Sequence, residues 1–253
     1  MFLKYYKPTT PSKRGRRIVK KNFDILKFRR LSIVLRRRNG RVINGHQSLR
    51  SKGGASFNFY RSVDYIRTKL TEDARFVASD FDNYRTGHLG LLHFKNGAYS
   101  YILSSEGTQL NSLIKTDFKC PDIKKNLSWR VPLKSVPTKT IVNSIETLPN
   151  QGGRLVRAAG TGAKVLKKLD NNLFLLQMPS KKLLKVSADV MVTIGKVSNS
   201  WHKFEVYSKA GYSYILNKKP VVRGESMNAV DHPHGGRTRG GVPRKNPWGK
   251  IIK

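Results

Sequence analysis

From residue 57 onward, apolar and polar positions alternate with a period of two. Phe57, Phe59, Arg61, Val63 and Tyr65 fall on one parity, and Asn58, Tyr60, Ser62 and Asp64 on the other. Successive side chains of a β-strand point to opposite faces, so this run predicts a strand. Residues 88–94 and 98–103 flank Asn96-Gly97, two turn residues that tolerate positive φ, and so predict a hairpin. Residues 129–133, 138–145 and 153–159 read as further strands, punctuated by Pro132, Pro137 and Pro149. A second meander follows: 163–169 turns at Asp170-Asn171-Asn172 into 173–178, Pro179 to Lys182 turns into 183–186, and 190–197 closes the series. Short strands every 8–12 residues mean all-β barrels or sandwiches. The expected fold class is therefore all-β, with two small barrels in series, 57–130 and 131–204, and helix only in short pieces. An open barrel of the oligonucleotide-binding type would present a strand face and loops to nucleic acid.

The pattern is absent at both ends, which predicts extended basic arms over 1–56 and 205–253. Lys13, Arg14, Arg16 and Arg17 surround Gly15, and Arg36, Arg37 and Arg38 follow an apolar stretch. Like charges keep such a stretch extended until phosphates arrive. Residues 41–56 are rich in Gly and Ser and carry Arg50 and Lys52. Such a backbone can approach a phosphate closely, and a plain flexible linker is the competing reading.

Charge decides the class of partner. Fifty Lys and Arg face fifteen acids, a net charge of +35. The excess is uneven: residues 1–61 hold eighteen basic residues against Asp24 alone, 62–200 hold twenty-one against eleven, and 201–253 hold eleven against three. Such a chain needs a polyanion, and nucleic acid fits because neutralised phosphates release their counterions. No run of about 18 apolar residues occurs, so no transmembrane helix is predicted. The single cysteine, Cys120, forms no internal disulfide and reads as a small buried apolar residue. The Arg-rich, acid-poor N-terminus is like a mitochondrial presequence, but Pro8, Pro11 and Gly15 break the helix one would need. A nucleic-acid enzyme would need clustered carboxylates. Asp80 and Asp82 are the closest pair, and they stand just before Arg85, where ion pairing is the simpler reading. A DNA-compacting protein would fit the charge, but no groove-reading helix is predicted.

One stretch is specific. Residues 222–236 read Val-Arg-Gly-Glu-Ser-Met-Asn-Ala-Val-Asp-His-Pro-His-Gly-Gly. This run resembles the VRG-x-x-MNPVDHPHGGG run of the universal large-subunit ribosomal protein L2 family. Further segments are similar to that family: residues 6–11, Asn39-Gly40-Arg41, Tyr60 to Asp64, Lys95 to Leu103, Gln151 to Thr161, and Pro247-Trp248-Gly249. Ala229 stands where the family usually has proline. Gly236-Arg237-Thr238-Arg239 replaces a more glycine-rich run, and the family's long basic tail after Trp-Gly is nearly absent.

The resemblance implies an oligonucleotide-binding barrel followed by an SH3-like barrel, with both arms buried in ribosomal RNA. It implies rRNA binding by Arg85 and Arg157, each on a barrel turn. An arginine fork on a rigid loop reaches two phosphate oxygens at once. Arg154, Arg50, Lys52, Arg61, Arg223, His232, His234, Arg237 and Arg239 complete the candidate RNA-binding set. His232 and His234 lack the further ligands a zinc site needs. Asp231 beside His232 raises general acid–base chemistry, but the loop suits a chain wedged into RNA grooves, so no catalytic residue is expected. No intrinsic cofactor is implied, and any Mg2+ would accompany the rRNA. The expected partners are large-subunit rRNA, other ribosomal proteins and the small subunit across the subunit interface, with neither a membrane nor a homo-oligomer. The expected site of action is a ribosome near its peptidyl-transferase region. The Lys-, Asn- and Ile-rich sequence points to the mitochondrial matrix, with a bacterial cytoplasm or a plastid as alternatives.

Overall fold

In a computed structural model, strands occupy the stretches where apolar residues can be buried. The structure describes residues 3–20, 29–35, 38–53, 59–67, 73–117, 126–169, 172–236 and 243–252. The strands are β1 (Leu3–Tyr5), β2 (Arg17–Val19), β3 (Ser32–Val34), β4 (Phe59–Arg61), β5 (Ala74–Asp80), β6 (Leu89–Phe94) and β7 (Tyr99–Leu103). They continue as β8 (Leu113–Ile114), β9 (Arg130–Pro132), β10 (Ile141–Asn143), β11 (Ala163–Leu169), β12 (Leu173–Gln177), β13 (Leu183–Ser187) and β14 (Met191–Ile194). The single α-helix among the described residues is α1 (Ala210–Ile215), with short 3-10 turns elsewhere.

Two antiparallel sheets dominate. The first has the order β7-β6-β5-β8, and the second β13-β12-β11-β10-β14-β9. The β6–β7 hairpin turns at Asn96-Gly97, where Gly97 takes φ 80° and the Asn96 side chain accepts from the Ala98 amide at 3.0 Å. β6 is not half-buried, as simple alternation would have it. Leu92 and Phe94 enter a cluster with Ala74, Phe76, Ile102 and Ile114, while Leu89 and Leu91 enter another with Ala78, Tyr101, Leu103 and Val197. A sheet covered on both faces needs apolar residues on both parities, hence Leu-Gly-Leu-Leu. The second core gathers Val131, Val142, Val165, Phe174, Leu176, Val192 and Ile194 among others.

Several expectations change. β5 is not legible in the sequence, because Arg75, Ser79 and Asp80 dilute its apolar content. Its Ala74, Phe76 and Ala78 are nevertheless buried. The expected strand at 153–159 is a loop, with an isolated Ile145–Leu155 bridge, because Gly152 (φ 78°) and Val156 (φ 56°) take left-handed backbone that interrupts a regular strand. The N-terminal segment is not simply an extended arm. β1 pairs with β2, Arg17 bridges to Val206, and the Val19 amide donates to Glu205 Oε1 at 3.0 Å. Cys120, Phe57, Arg237 and Arg239 lie outside the described residues.

In space the chain forms two compact units. One comprises Met1–Leu35 with Phe57–Ser208, and the other Arg36–Ser56 with Lys209–Lys253. The second unit therefore joins parts of both sequence arms. The Lys219 amide donates to the Ser51 carbonyl at 3.0 Å, and the Gly53 amide to the Asn217 side chain. No helix among the described residues is long and apolar enough to cross a membrane.

Candidate nucleic-acid interface

Within the barrel unit, the end of β4 meets the acidic turn that leaves β5. Arg61 Nε lies 2.8 Å from Asp80 Oδ2, to which the Tyr101 hydroxyl donates at 3.2 Å. Burial, and then the Asp80 charge, push the Tyr101 phenol above its ordinary range, which keeps it a donor. Arg85 Nη1 pairs with Asp82, whose carboxylate is fully buried. Arg85 also donates Nε to the Tyr65 hydroxyl at 3.1 Å, Nη1 to the Arg61 carbonyl at 3.2 Å and Nη2 to the Tyr60 hydroxyl at 2.9 Å. Its guanidinium carbon lies 4.9 Å from the centre of the Tyr60 ring, which meets Tyr84 edge-to-face at 5.5 Å. A guanidinium has five N–H donors, and four of Arg85's face protein acceptors. The Arg85 fork clamps the aromatic surface from within.

Arg157 is arranged differently. It is exposed, and its guanidinium carbon sits 5.0 Å from the centre of the Tyr65 ring. No hydrogen bond ties that guanidinium to another described residue, so its edge stays open to an anion. Arg154, three residues earlier, is also exposed. The loop between them is pinned from below: the Gly153 amide donates to the Tyr65 carbonyl at 3.1 Å, and the Arg154 amide to the Ile145 carbonyl at 2.9 Å.

Beneath this loop lies a buried charged network that the sequence did not announce. Arg130 is 1 % exposed and donates to the Tyr65 carbonyl at 2.6 Å and to Glu146 Oε1 at 2.5 Å. Glu146, fully buried, also accepts from the Gly152 amide at 2.9 Å and the Met191 amide at 3.0 Å. Burial lowers the Arg130 pKa. Arg67, buried nearby, is pulled down to about 9 by burial and then by the Arg130 charge, and donates to the Ser128 carbonyl at 2.6 Å. These groups couple Tyr65 of the first barrel to the loop of the second. Their one sequence signal, charged residues inside apolar runs, also describes ordinary strand faces.

The second unit holds the specific motif, and its geometry explains the residue choices. His232 is buried, and its Nδ1 accepts from the His234 amide at 3.0 Å. Gly224 is required because a Cβ there would lie 2.4 Å from the imidazole, and Gly235 because a Cβ would lie 2.1 Å from the Asn228 carbonyl oxygen. His234 stands edge-on to His232 at 5.0 Å, and the Lys245 amide donates to its Nε2 at 3.0 Å. The Asp231 amide donates to the Asn228 carbonyl at 3.0 Å, a turn that puts Ala229 at its second position. Proline is favoured there, which accounts for the family's choice. Asp231 does not orient His232: the His234 backbone amide occupies Nδ1, and Asp231 is exposed. Arg223 and Lys52 are exposed, and Arg50 reaches the Met227 sulfur at 3.8 Å. Among the described residues, no three His, Cys, Asp or Glu side chains gather as a metal site.

The arrangement offers cations and stacked arginine on rigid backbone, the chemistry of phosphate contact. Comparison with known families agrees. The family model described as ribosomal proteins L2, RNA binding N-terminal domain, matches residues 28–116, and that described as ribosomal proteins L2, C-terminal domain, matches 128–249. The two matches divide the chain between the four-stranded and six-stranded sheets, an oligonucleotide-binding barrel and an SH3-like barrel respectively. Together they span most of the sequence, and the chain belongs to the L2 family of ribosomal proteins.

Proposed function

We propose that this chain scaffolds large-subunit rRNA beside the peptidyl-transferase region, supporting assembly, tRNA placement and contact with the small subunit, and that it is not itself a catalyst. Family membership supplies the coarser part: a structural, RNA-binding component of the large ribosomal subunit, working among other ribosomal proteins. The observation that best supports a specific barrel contact is Arg157, stacked on Tyr65 with its edge open, on a loop fastened by buried hydrogen bonds. Such an arginine is already oriented for phosphate or a guanine edge. Arg154 beside it, and Arg50, Lys52, Arg223 and the His232–His234 loop in the second unit, are the proposed companions. The protein acts as a single copy in the particle. The mitochondrial ribosome is its proposed location, on the Lys-, Asn- and Ile-rich sequence, and co-sedimentation of a tagged chain with that subunit checks this.

The test is filter binding of the full chain to large-subunit rRNA across a salt series, with duplex DNA as competitor. rRNA should win, and Arg157→Ala should weaken binding and flatten the log–log salt dependence by about one unit. Equal binding of DNA and rRNA, with Arg157→Ala silent, would remove the barrel as a recognition element.

A further inference from the structure

The six-stranded sheet has an outward face that the Arg157 loop and the buried network leave unused. Phe174, Leu176 and Val186 point into the core, so the residues between them point out. The strand register places Lys167, Leu175 and Lys185 in one cross-strand row, and Lys164, Gln177 and Leu183 in the next. Lys181 and Lys182, both exposed, extend the face at the β12–β13 turn. Residues 163–187 contain six lysines and one acid, Asp170.

Four lysines elsewhere in the same unit find carboxylates. Lys115 and Lys95 reach Asp73, Lys196 reaches Glu106 and Lys134 reaches Asp189. None of Lys164, Lys167, Lys181, Lys182 or Lys185 has an ion-pair partner among the described residues. Lys167 and Lys185 stand two strand spacings apart, about 10 Å, so their mutual repulsion is largely screened at physiological salt and both charges can sit on one face. Lysine on an edge strand shields it from pairing with another chain, and β13 is an edge strand. That explains Lys185. It does not explain Lys164 and Lys167, which lie on β11, two strands in from the edge.

We propose that this face of β11, β12 and β13 is a second rRNA-binding surface, seated on the sugar–phosphate backbone of a double-helical segment through Lys164, Lys167 and Lys185. The proposal rests on the rRNA-binding reading above and adds a site to it. The outward rows hold lysine, leucine, glutamine and serine but no aromatic ring. Recognition of single-stranded RNA uses aromatic platforms on which bases stack. A flat, ring-free, lysine-studded sheet suits phosphates arrayed along a duplex, a mode of binding that fixes position without reading sequence.

The experiment compares the full chain with its Lys164→Gln/Lys167→Gln/Lys185→Gln variant in filter binding to large-subunit rRNA across a salt series. Backbone protection from hydroxyl radicals is recorded in parallel. The variant should flatten the log–log slope by about two to three units, near 0.9 for each phosphate no longer neutralised. It should also lose protection over one paired segment while keeping the footprint that Arg157→Ala removes. The matching Lys→Arg variant should retain slope and footprint. An unchanged slope and footprint in the Gln variant would overturn the proposal and leave the lysines as edge shielding. Loss in the Arg variant as well would overturn it too, because the face would then act by packing rather than charge. If the unaltered chain shows no preference for rRNA over duplex DNA, the parent reading fails. The footprints still decide whether this face touches a duplex.

Discussion

The Arg130–Glu146 pair gives the sharpest expectation. Glu146 carries the buried carboxylate that faces Arg130, and Arg67 adds a second buried guanidinium. Glu146→Gln keeps the shape and one acceptor oxygen but removes the charge. Breaking a buried ion pair from one side costs about 3–5 kcal/mol, because the remaining charge is left uncompensated. Asp64 stays close enough to attract both arginines, which sets the expectation at the lower end, about 3 kcal/mol, or more than a hundredfold in the folding equilibrium. Glu146→Ala should cost more, since the Gly152 and Met191 amides lose their acceptors, at about 1–3 kcal/mol each. The assay is urea unfolding of the full chain, followed by far-ultraviolet circular dichroism. The double variant Arg130→Met/Glu146→Gln should recover much of the loss, since it removes the Arg130 charge that the single variant leaves uncompensated. A loss below about 1 kcal/mol in Glu146→Gln, or a double variant weaker than the single one, would refute a coupled buried charge.

Arg85→Ala should lower the unfolding midpoint by the loss of a buried pair and three further hydrogen bonds, yet leave the salt slope of rRNA binding unchanged; a slope change of about one unit would make it a phosphate contact instead. Ala229→Pro should stabilise the second unit by about 0.4–1 kcal/mol, because it narrows the unfolded ensemble at a turn position that accepts proline, and limited proteolysis of that unit reads the change. His232→Ala, introduced into assembled particles, should leave peptide-bond formation nearly intact; a rate loss of several orders of magnitude with normal assembly would show chemistry at the imidazole. The Tyr207 phenol is pushed up to about 12 by burial and then by Glu205. Its contribution is present below about pH 10, the ordinary tyrosine value, and is lost as pH rises through about 12. Ultraviolet titration of Tyr207→Phe should therefore lack one late-titrating phenol and match the unaltered chain near pH 10.

Much of this was legible in the linear chain, and the reason is local. Asn96-Gly97 fixes a hairpin because the backbone at those two residues permits the turn, whatever surrounds it. Residues 163–169, 173–178 and 183–186 showed their strands because Val165, Phe174, Leu176 and Val186 fall at intervals that only a half-buried sheet satisfies. The motif from Val222 to Gly236 announced its family because close packing of Gly224 on His232 and of Gly235 on Asn228 tolerates few alternatives. The +35 charge fixed the class of partner before any strand was placed.

What only the tertiary structure decided depends on residues far apart in sequence. β5 is hidden in sequence because Arg75 and Asp80 look like surface, and Asp80 becomes internal once Arg61 and Tyr101 close over it. Gly152 and Val156 turn an expected strand into a loop, since its backbone follows Tyr65 and Ile145 rather than a neighbouring strand. Arg85 and Arg157 look equivalent as arginines on turns. They differ because Asp82, Tyr60 and Tyr65 surround the first fork, while the second lies over the Tyr65 ring with no hydrogen bond to another described residue. Periodicity reports which side of an element is buried. Whether a buried charge finds its partner, and whether an exposed one is left open for RNA, depends on where the folded chain places residues that are distant in sequence.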